Sequence, residues 1–311
     1  MTSADWVAAS TRARAMARGR VGAGACRTAA ATGEWSAALR VLAPTAAGPR
    51  LARCRTLAEA DLAGRAALVW SVRVLAGWIP ARGTGVVRAL AAGAEVANLT
   101  AMAARLAGGQ AHVAVQDGDV PLDLGALATA WPRLSGATSV AQLREALRRS
   151  PWGDPGSPEE LPDVLTAVWL RRLVAEVPAT RAWARCAAAL LVARRSLLDQ
   201  PPVPRLVAVL GPVLGRSWSA AHTPDALRSA LSPAVARCLE GVTAADDLWR
   251  AEARLRGQVQ ADGFGLLRRG VPGPDVVVGA VAVLAVDSWR VTAALAAAAA
   301  GGASEVLDVV A

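Results

Sequence analysis

Apolar side chains recur along the chain at intervals of three and four residues, and proline- and glycine-rich breaks separate the stretches that carry them. This period is that of the buried face of an α-helix, and the alternating pattern of a half-buried strand is missing. Alanine and leucine, which are strong helix formers, dominate these stretches. The sequence therefore predicts an all-α protein, with helices at about 4–19, 33–43, 51–78, 82–107, 139–149, 159–177, 179–198, 224–240, 243–269, 275–299 and 303–310.

Two of the predicted helices echo each other, at Val86–Gly109 and Val278–Gly301. Aligned without gaps, each places an acid and, three residues later, a polar side chain in an otherwise apolar helix. These residues are Glu95 and Asn98 in the first helix, and Asp287 and Arg290 in the second. Because burying an unpaired charge is costly, we expect an arginine from a neighbouring helix to pair with each acid and to fix the helix register.

A short helix with a Leu-Arg centre recurs three times and runs into proline, at Trp35–Pro44, Ser139–Pro151 and Thr223–Pro233. The second and third copies match without a gap, and Leu39-Arg40 makes the first a looser member. Each copy precedes long helices, and each set ends in an acid-and-polar helix, with Thr180 and Trp183 at those positions in the middle set. The pattern predicts three related helical subdomains, at 1–109, 110–200 and 201–311. Chance similarity in an alanine-rich chain is the alternative.

Two breaks carry specific signals. Thr223-Pro224-Asp225 combines a capping threonine, a proline at the first helical position and an acid in the first turn, which predicts a helix start. Trp152–Pro162 is the best candidate for a loop.

Every basic residue is arginine, and the net charge is +9. Such a charge suits nucleic acid or an anionic membrane surface. The arginines are spread along nearly the whole chain, however, and pairs such as Arg194-Arg195 are explained most simply as solvated helix faces. A basic, all-helical, nucleic-acid-binding regulator is therefore the alternative function and not the first.

The four cysteines are far apart and form no CxxC motif, so they are predicted to be reduced core residues of a cytosolic protein. Their positions are Cys26, Cys54, Cys186 and Cys238. The most apolar stretch is Val276–Val286, which Asp287 follows directly. It is shorter than the roughly 20 residues that a helix needs to span a bilayer. The sequence predicts no transmembrane segment.

Residue patterns that carry chemistry are sparse. His112 and His222 are far apart in the sequence and lack metal-ligand spacing. Gly211–Ser217 has arginine where a phosphate loop needs lysine, and it follows no strand. We read it, and the cluster of Gly19, Gly22 and Gly24, as turns. The adjacent acids Glu159-Glu160 and Asp246-Asp247 do not share a helix face and are expected in first turns. Single tryptophans at helical positions, such as Trp70 and Trp169, are expected in the core. The sequence predicts no catalytic, cofactor-binding or metal-binding residue.

Several segments resemble, in matching order, the C-type subunit family of the V-type and archaeal-type (V/A) rotary ATPases, whose eukaryotic counterpart is the d-type subunit. That family opens with an aromatic residue and an Ala-Arg-x-Arg-Ala-Met run, and here Trp6 and Thr11–Met16 stand in those places, with threonine for the first alanine. Its acid-x-x-Asn-Leu helix is matched by Glu95, Asn98 and Leu99. Ser150–Gly153 is similar to its Thr-Pro-Tyr-Gly element, and Asp287 with Arg290 lies in a stretch that resembles its last long helix.

The resemblance implies a funnel of three similar helical subdomains that catalyses nothing and needs no cofactor. In that family the funnel receives the central shaft, formed by subunits of the D and F type, and sits on the membrane ring of proteolipid subunits. It couples shaft rotation to the transport of protons or sodium ions. The resemblance places the chain at the cytoplasmic face of the cell membrane as a peripheral protein, without nucleic acid or a small-molecule substrate. It assigns structural roles to Glu95, Asn98, Leu99, Asp287 and Arg290, and it names no contact residue for shaft or ring.

Overall fold

The computed structural model describes residues 3–108, 120–200, 203–221 and 223–302. Within these ranges the secondary structure consists of α-helices and short 3-10 turns, with no strand, which confirms the all-α prediction. His112, His222 and the predicted helix 303–310 lie outside the described residues.

The helices follow the predicted pattern closely in the long elements and less closely in the short ones. They are α1 Val7–Arg18, α2 Ala23–Ala30, α3 Trp35–Leu42, α4 Gly48–Leu51, α5 Leu57–Ala76, α6 Thr84–Ala107, α7 Trp131–Leu134, α8 Val140–Arg148, α9 Leu161–Glu176, α10 Arg181–Leu197, α11 Pro204–Leu214, α12 Pro224–Ala230, α13 Pro233–Ala236, α14 Leu248–Arg268 and α15 Pro274–Ala299. The loop predicted around Trp152 is present, and Thr223 caps α12 by accepting a hydrogen bond from the N–H of Ala226.

One helix prediction, 224–240, and one turn interpretation, 211–217, are wrong, and the predicted helix 51–78 begins only at Leu57, where Thr56 caps it. The predicted helix 224–240 is interrupted before Pro233, because proline lacks an N–H group and disfavours helical geometry in the residue before it. Residues 204–214 form α11, although we read 211–217 as a turn; only Gly215, at a φ of 85°, ends the helix. Proline at its first position starts α11, where no N–H partner is needed.

The residues group into two compact units, and α6 and α14 contribute to both. The first unit comprises Met1–Val87, Val115–Asp123 and Arg256–Ala311. Within it α15 packs against α1, α2, α3 and α5. Gly64 of α5 permits the close approach, since a Cβ atom there would lie 2.5 Å from the hydroxyl of Ser288. Cys26, Leu42 and Leu295 belong to one buried cluster of this unit.

The second unit comprises Arg88–Ala114 and Leu124–Leu255. Within it α9 packs against α10 and α11, and α10 packs against α12 and α13. The indole of Trp169 lies on the glycine surface of α6 at Gly93 and donates a hydrogen bond to the carbonyl of Ala89. The predicted division into three subdomains stays a prediction.

The three short Leu-containing helices, α3, α8 and α12, share one pattern. Each is preceded by an N-cap residue in extended conformation, namely Glu34, Ser139 or Thr223. The residues four and eight positions after the N-cap are buried, and these are Ala38 and Leu42, Leu143 and Leu147, and Leu227 and Leu231. Counted from the N-cap, Ala38 of the first copy is therefore the equivalent of Leu143 and Leu227. This is one residue before Leu39, which the sequence pattern had matched to them.

By length and composition alone, two helical segments of the described residues could cross a membrane. They are Ala81–Ala107, which is α6 together with the 3-10 turn before it, and Pro274–Ala299, which is α15. In their most apolar windows 56% and 67% of the residues are buried inside the protein. Each also carries a buried acid, Glu95 or Asp287. The location of the chain stays a prediction.

Cys186 of α10 is bonded to Cys238, so the prediction of four reduced cysteines is wrong for this pair. The two residues are far apart in sequence, and only the packing of α10 against the segment after α13 brings them together. Cys26 and Cys54 are free and buried. Burial, followed by the negative charge of Asp287, raises the pKa of the Cys26 thiol to about 12.

Thiol titration tests this arrangement. In denaturant without a reductant, we expect two titratable thiols, and after reduction four, because one disulfide removes two of the four cysteines. In the folded protein at pH 8, Cys26 should react far more slowly than in denaturant, since its thiolate is disfavoured. The matched control is Cys238→Ser, which should show three thiols without reductant. Four thiols in unreduced wild-type protein would contradict the disulfide.

Candidate functional site

The carboxylate of Glu95 lies fully buried at the start of α7. Its Oε1 atom accepts hydrogen bonds from the N–H groups of Ala130 at 2.7 Å and Trp131 at 2.8 Å, and Oε2 accepts from the N–H of Thr129. The first N–H groups of a helix have no partner within that helix. Glu95 therefore acts as an N-terminal cap that a different helix, α6, supplies to α7.

The indole of Trp152 completes this site. Trp152 is 1% exposed, and its Nε1 donates to Oε1 of Glu95 at 3.1 Å. The guanidinium of Arg172 lies over the indole, 4.7 Å from the ring centroid, and donates to the carbonyl of Pro151 at 2.8 Å. Burial lowers the pKa of Arg172, and the charge of Glu95 is among the groups that oppose this shift. The segment after α8 is thus fixed to α6 through one carboxylate.

Asp287 of α15 repeats the arrangement in the first unit. Its two carboxylate oxygens accept hydrogen bonds from the N–H groups of Val21 and Gly22, each at 2.8 Å. Gly22 immediately precedes α2 and has a φ of 85°, which favours glycine. Gly22 of the glycine cluster thus presents its backbone N–H to a buried acid, whereas Gly24 lies within α2, so the interpretation of Gly24 as a turn is wrong.

The predicted arginine partners of these two acids are wrong. Neither Glu95 nor Asp287 forms an ion pair with arginine in the described residues; both bind backbone N–H groups. Two or three N–H groups at a helix start, with the positive end of the helix dipole, satisfy a carboxylate without a second charge. The sequence alone does not reveal such partners, because nearly every residue has an N–H group.

The other predicted structural positions are also buried. Leu99 is fully enclosed, Asn98 is 5% exposed and Arg290 is 2% exposed. Nη2 of Arg290 donates to Oε1 of Gln260 on α14 at 2.6 Å. Burial lowers the pKa of Arg290, and the neighbouring Cys26 and Asp287 oppose this shift. The polar residue three positions after the acid therefore belongs to the core.

One buried acid was missed in the sequence. Asp163 in the first turn of α9 pairs with Arg194 at 2.6 Å and with Arg195 at 2.8 Å. Arg195 is 8% exposed, so the interpretation of the Arg194-Arg195 pair as a solvated face is wrong for one of its members. The available signal was an acid within the apolar run from Leu161, which is the same signal that identified Glu95.

Thr180 stands where the acid would be in the middle set of helices, and it forms hydrogen bonds within its own segment. Its hydroxyl donates to the carbonyls of Val177 at 2.8 Å and Leu173 at 3.2 Å. The short helix α12 packs on α10 by apolar contact instead, in a region where Leu227 lies close to Ala193. This helix pair therefore packs without a buried carboxylate at the position of Thr180.

Asp246-Asp247 lie in the 3-10 turn that leads into α14, whereas Glu159-Glu160 precede the first residue of α9, so the first-turn prediction is wrong for Glu159-Glu160. Asp247 precedes α14 and accepts hydrogen bonds from the N–H groups of Thr243 and Ala244, which lower its pKa. Among the described residues, no group of three or more histidine, cysteine or acidic side chains is placed to hold a metal ion.

A cavity of about 200 Å³ lies beside Asp287 in the first unit. Its walls are mainly small apolar side chains of α5, α15 and the segment around α4. Trp70 also lines it and is 51% exposed, so the prediction that Trp70 fills the core is wrong. Two basic side chains, Arg20 and Arg50, stand among the lining residues, and so does Ala47.

Comparison with protein-family models and with curated proteins finds no match for this chain. Membership of the C-type subunit family of the rotary ATPases stays a prediction from the sequence, made from Trp6, Thr11–Met16, Glu95–Leu99, Ser150–Gly153 and the stretch around Asp287.

Replacing Glu95 with alanine tests the buried cap. The change leaves three backbone N–H groups and the Trp152 indole without their acceptor, so we expect a loss of about 3 kcal/mol or more in the free energy of unfolding. Urea unfolding followed by circular dichroism measures it. Glu145→Ala removes a half-exposed acid that forms only surface ion pairs, and it should change stability by about 0.5 kcal/mol or less. Equal stability of the Glu95→Ala variant and wild type would contradict the cap.

Trp152→Phe isolates the indole hydrogen bond. The ring stays aromatic and apolar but loses its N–H donor, so the expected destabilisation is about 1 kcal/mol, smaller than that of Glu95→Ala. The same unfolding measurement compares the two variants directly. A Trp152→Phe loss that exceeded the Glu95→Ala loss would show that ring packing, and not the carboxylate, holds this segment.

Proposed function

We propose that this chain is a non-catalytic socket protein of the central stalk of a rotary V/A-type ATPase. In this role three related helical subdomains form a funnel that receives the shaft subunits of the D and F type and rests on the proteolipid ring. Shaft rotation and the transport of protons or sodium ions are thereby coupled. The chain itself carries out no chemistry and lies on the cytoplasmic face of the membrane.

The observation that carries this proposal is the order in which long helices hold short ones. Glu95 of α6 holds the start of α7, which packs on the related helix α8; α10 packs directly on α12; and Asp287 of α15 holds the start of α2, which packs on α3. In the first two cases the short helix follows the long one in sequence. In the third, the last long helix holds the first short helix, so the order is cyclic. Three related units arranged around one axis would have this order.

The buried acids suit a part that transmits torque. A carboxylate that accepts several N–H bonds fixes both the distance and the angle between a long helix and a short one. Close-packed helices compress little and transmit strain. A socket built in this way would pass rotation from shaft to ring without yielding between its units.

The test is association with the proposed partners. We expect the tagged chain, produced together with shaft and proteolipid subunits of a rotary ATPase encoded in the same cell, to co-purify with both. An unrelated coiled coil of the same length as the shaft is the control bait and should not bind. A chain that is helical by circular dichroism yet binds neither shaft nor ring would overturn the proposal.

The same purified chain also tests the alternative function, nucleic-acid binding. A nucleic-acid-binding regulator would retard duplex DNA at low salt, and its affinity would fall steeply as salt rises because each neutralised phosphate releases counterions. Binding of DNA together with failure to bind the shaft would replace the socket by this function.

A further inference from the structure

The turn that follows α8 positions the Trp152 indole. Ser150 Oγ donates a hydrogen bond to the carbonyl of Leu147 at 2.8 Å and accepts one from the N–H of Trp152 at 3.1 Å. The turn therefore directs the indole to Glu95, where it fills space beside the carboxylate and donates a hydrogen bond to it.

The turn that follows α3 has the same hydrogen bonds. Thr45 Oγ1 donates to the carbonyl of Leu42 at 2.6 Å and accepts from the N–H of Ala47 at 3.3 Å. Leu42 and Leu147 occupy the same position after their N-cap residues, so the two turns are in register. Ala47 is the equivalent of Trp152, and the first unit lacks at this position the indole that the second unit possesses.

The cavity in the first unit lies where such an indole would be. Ala47 lines it, and so does Asp287, the counterpart of Glu95. In the described residues the Asp287 carboxylate accepts two hydrogen bonds from backbone N–H groups, whereas Glu95 accepts three and a fourth from the indole. A carboxylate has about four lone-pair sites, so Asp287 retains acceptor capacity although it is 5% exposed.

We propose that this cavity is a binding site for an indole ring supplied by a ligand, with the ring N–H donating to Asp287. Neither the resemblance nor the proposed function assigns such a site, and the inference is independent of both. The cavity volume of about 200 Å³ accommodates a bicyclic ring, and the lining of Ala60, Ala63 and Ala67 is apolar. This alanine wall offers an apolar surface against which the face of an aromatic ring can pack.

The charged lining residues favour the same ligand. In the second unit Arg172 lies over the Trp152 ring. In the first unit Arg20 and Arg50 line the cavity, and Arg20 already lies 4.8 Å from the ring centroid of Phe264. A guanidinium over an aromatic face is attracted by the ring quadrupole, most strongly for indole.

Titration of the whole wild-type chain with indole, followed by calorimetry, is the first test. We expect one site with a Kd of about 1 mM or tighter, since small aromatic ligands bind efficiently per atom. 1-Methylindole has the same ring without the N–H donor and should bind about tenfold more weakly. Absence of indole binding at millimolar concentration overturns the proposal. Equal binding of the two compounds overturns the role of Asp287.

A covalent indole at position 47 is the second test. Ala47→Trp should occupy the cavity, abolish indole binding and raise Tm by roughly 2 °C or more. Ala43→Trp makes the same change at an exposed position in the adjacent turn and should leave both indole affinity and Tm unchanged. Indole binding that persists in Ala47→Trp overturns the location of the site. The wild-type titration decides the proposal if this variant does not fold.

Trp152→Ala supplies the reciprocal measurement. Removing the native indole beside Glu95 should create a second cavity of the same chemistry, so the indole stoichiometry should rise from one to two and added indole should raise the Tm of the variant. A stoichiometry that stays at one in the folded variant would overturn the equivalence of the two positions.

One further probe distinguishes the two possible sources of the ring, a tryptophan of a partner protein and a free indole compound. N-acetyltryptophanamide carries the indole on a peptide-like backbone and imitates a tryptophan of a partner protein. Binding of this compound with an affinity within about tenfold of indole supports a tryptophan side chain of a partner as the natural occupant. Binding of indole alone supports a free indole compound.

Discussion

The buried carboxylate at a helix start is the interaction on which the rest of this fold depends. Glu95 and Asp287 each sit in the middle of a long apolar helix, where an ion would be costly to desolvate alone. Backbone N–H groups at the start of another helix satisfy these ions and are satisfied by them. Because neither partner can be left alone without a free-energy cost, each acid joins one short helix to one long helix in a defined register.

Capping by a buried carboxylate and apolar packing are separable contacts, as the middle set of helices shows. Thr180 bonds to carbonyls of its own segment, yet α12 still packs on α10 near Leu227. The disulfide between Cys186 and Cys238 ties α10 covalently to the segment after α13. A covalent tie and an apolar contact therefore join this helix pair without the carboxylate that Glu95 and Asp287 supply elsewhere.

The sequence predicted the helices better than it predicted the hydrogen-bond partners of the buried acids inside them. Long helices with period-3.6 patterns were found, and the polar residues inside them, Glu95 and Asp287, were recognised as buried and structural. Their partners were not, because N–H groups leave no signature in a sequence. Arg195 and Asp163 were missed since an arginine pair on a helix reads as solvated unless the facing acid is known. The shared register of the short helices could be recognised only from the N-cap residues, such as Glu34, that the structure locates.

The contrast between Trp152 and Ala47 shows what a repeat reveals that one copy cannot. A small cavity beside Asp287 would pass for a packing defect if it stood alone, since most proteins tolerate some imperfect packing. Its counterpart beside Glu95 is filled by an indole whose N–H completes the carboxylate shell. The backbone turn that directs that indole is kept in the first unit by Thr45, although the side chain it would direct is only a methyl group. The turn, the acid and the space therefore remain together where the ring is absent, and this conjunction identifies the chemistry of the group that fits there.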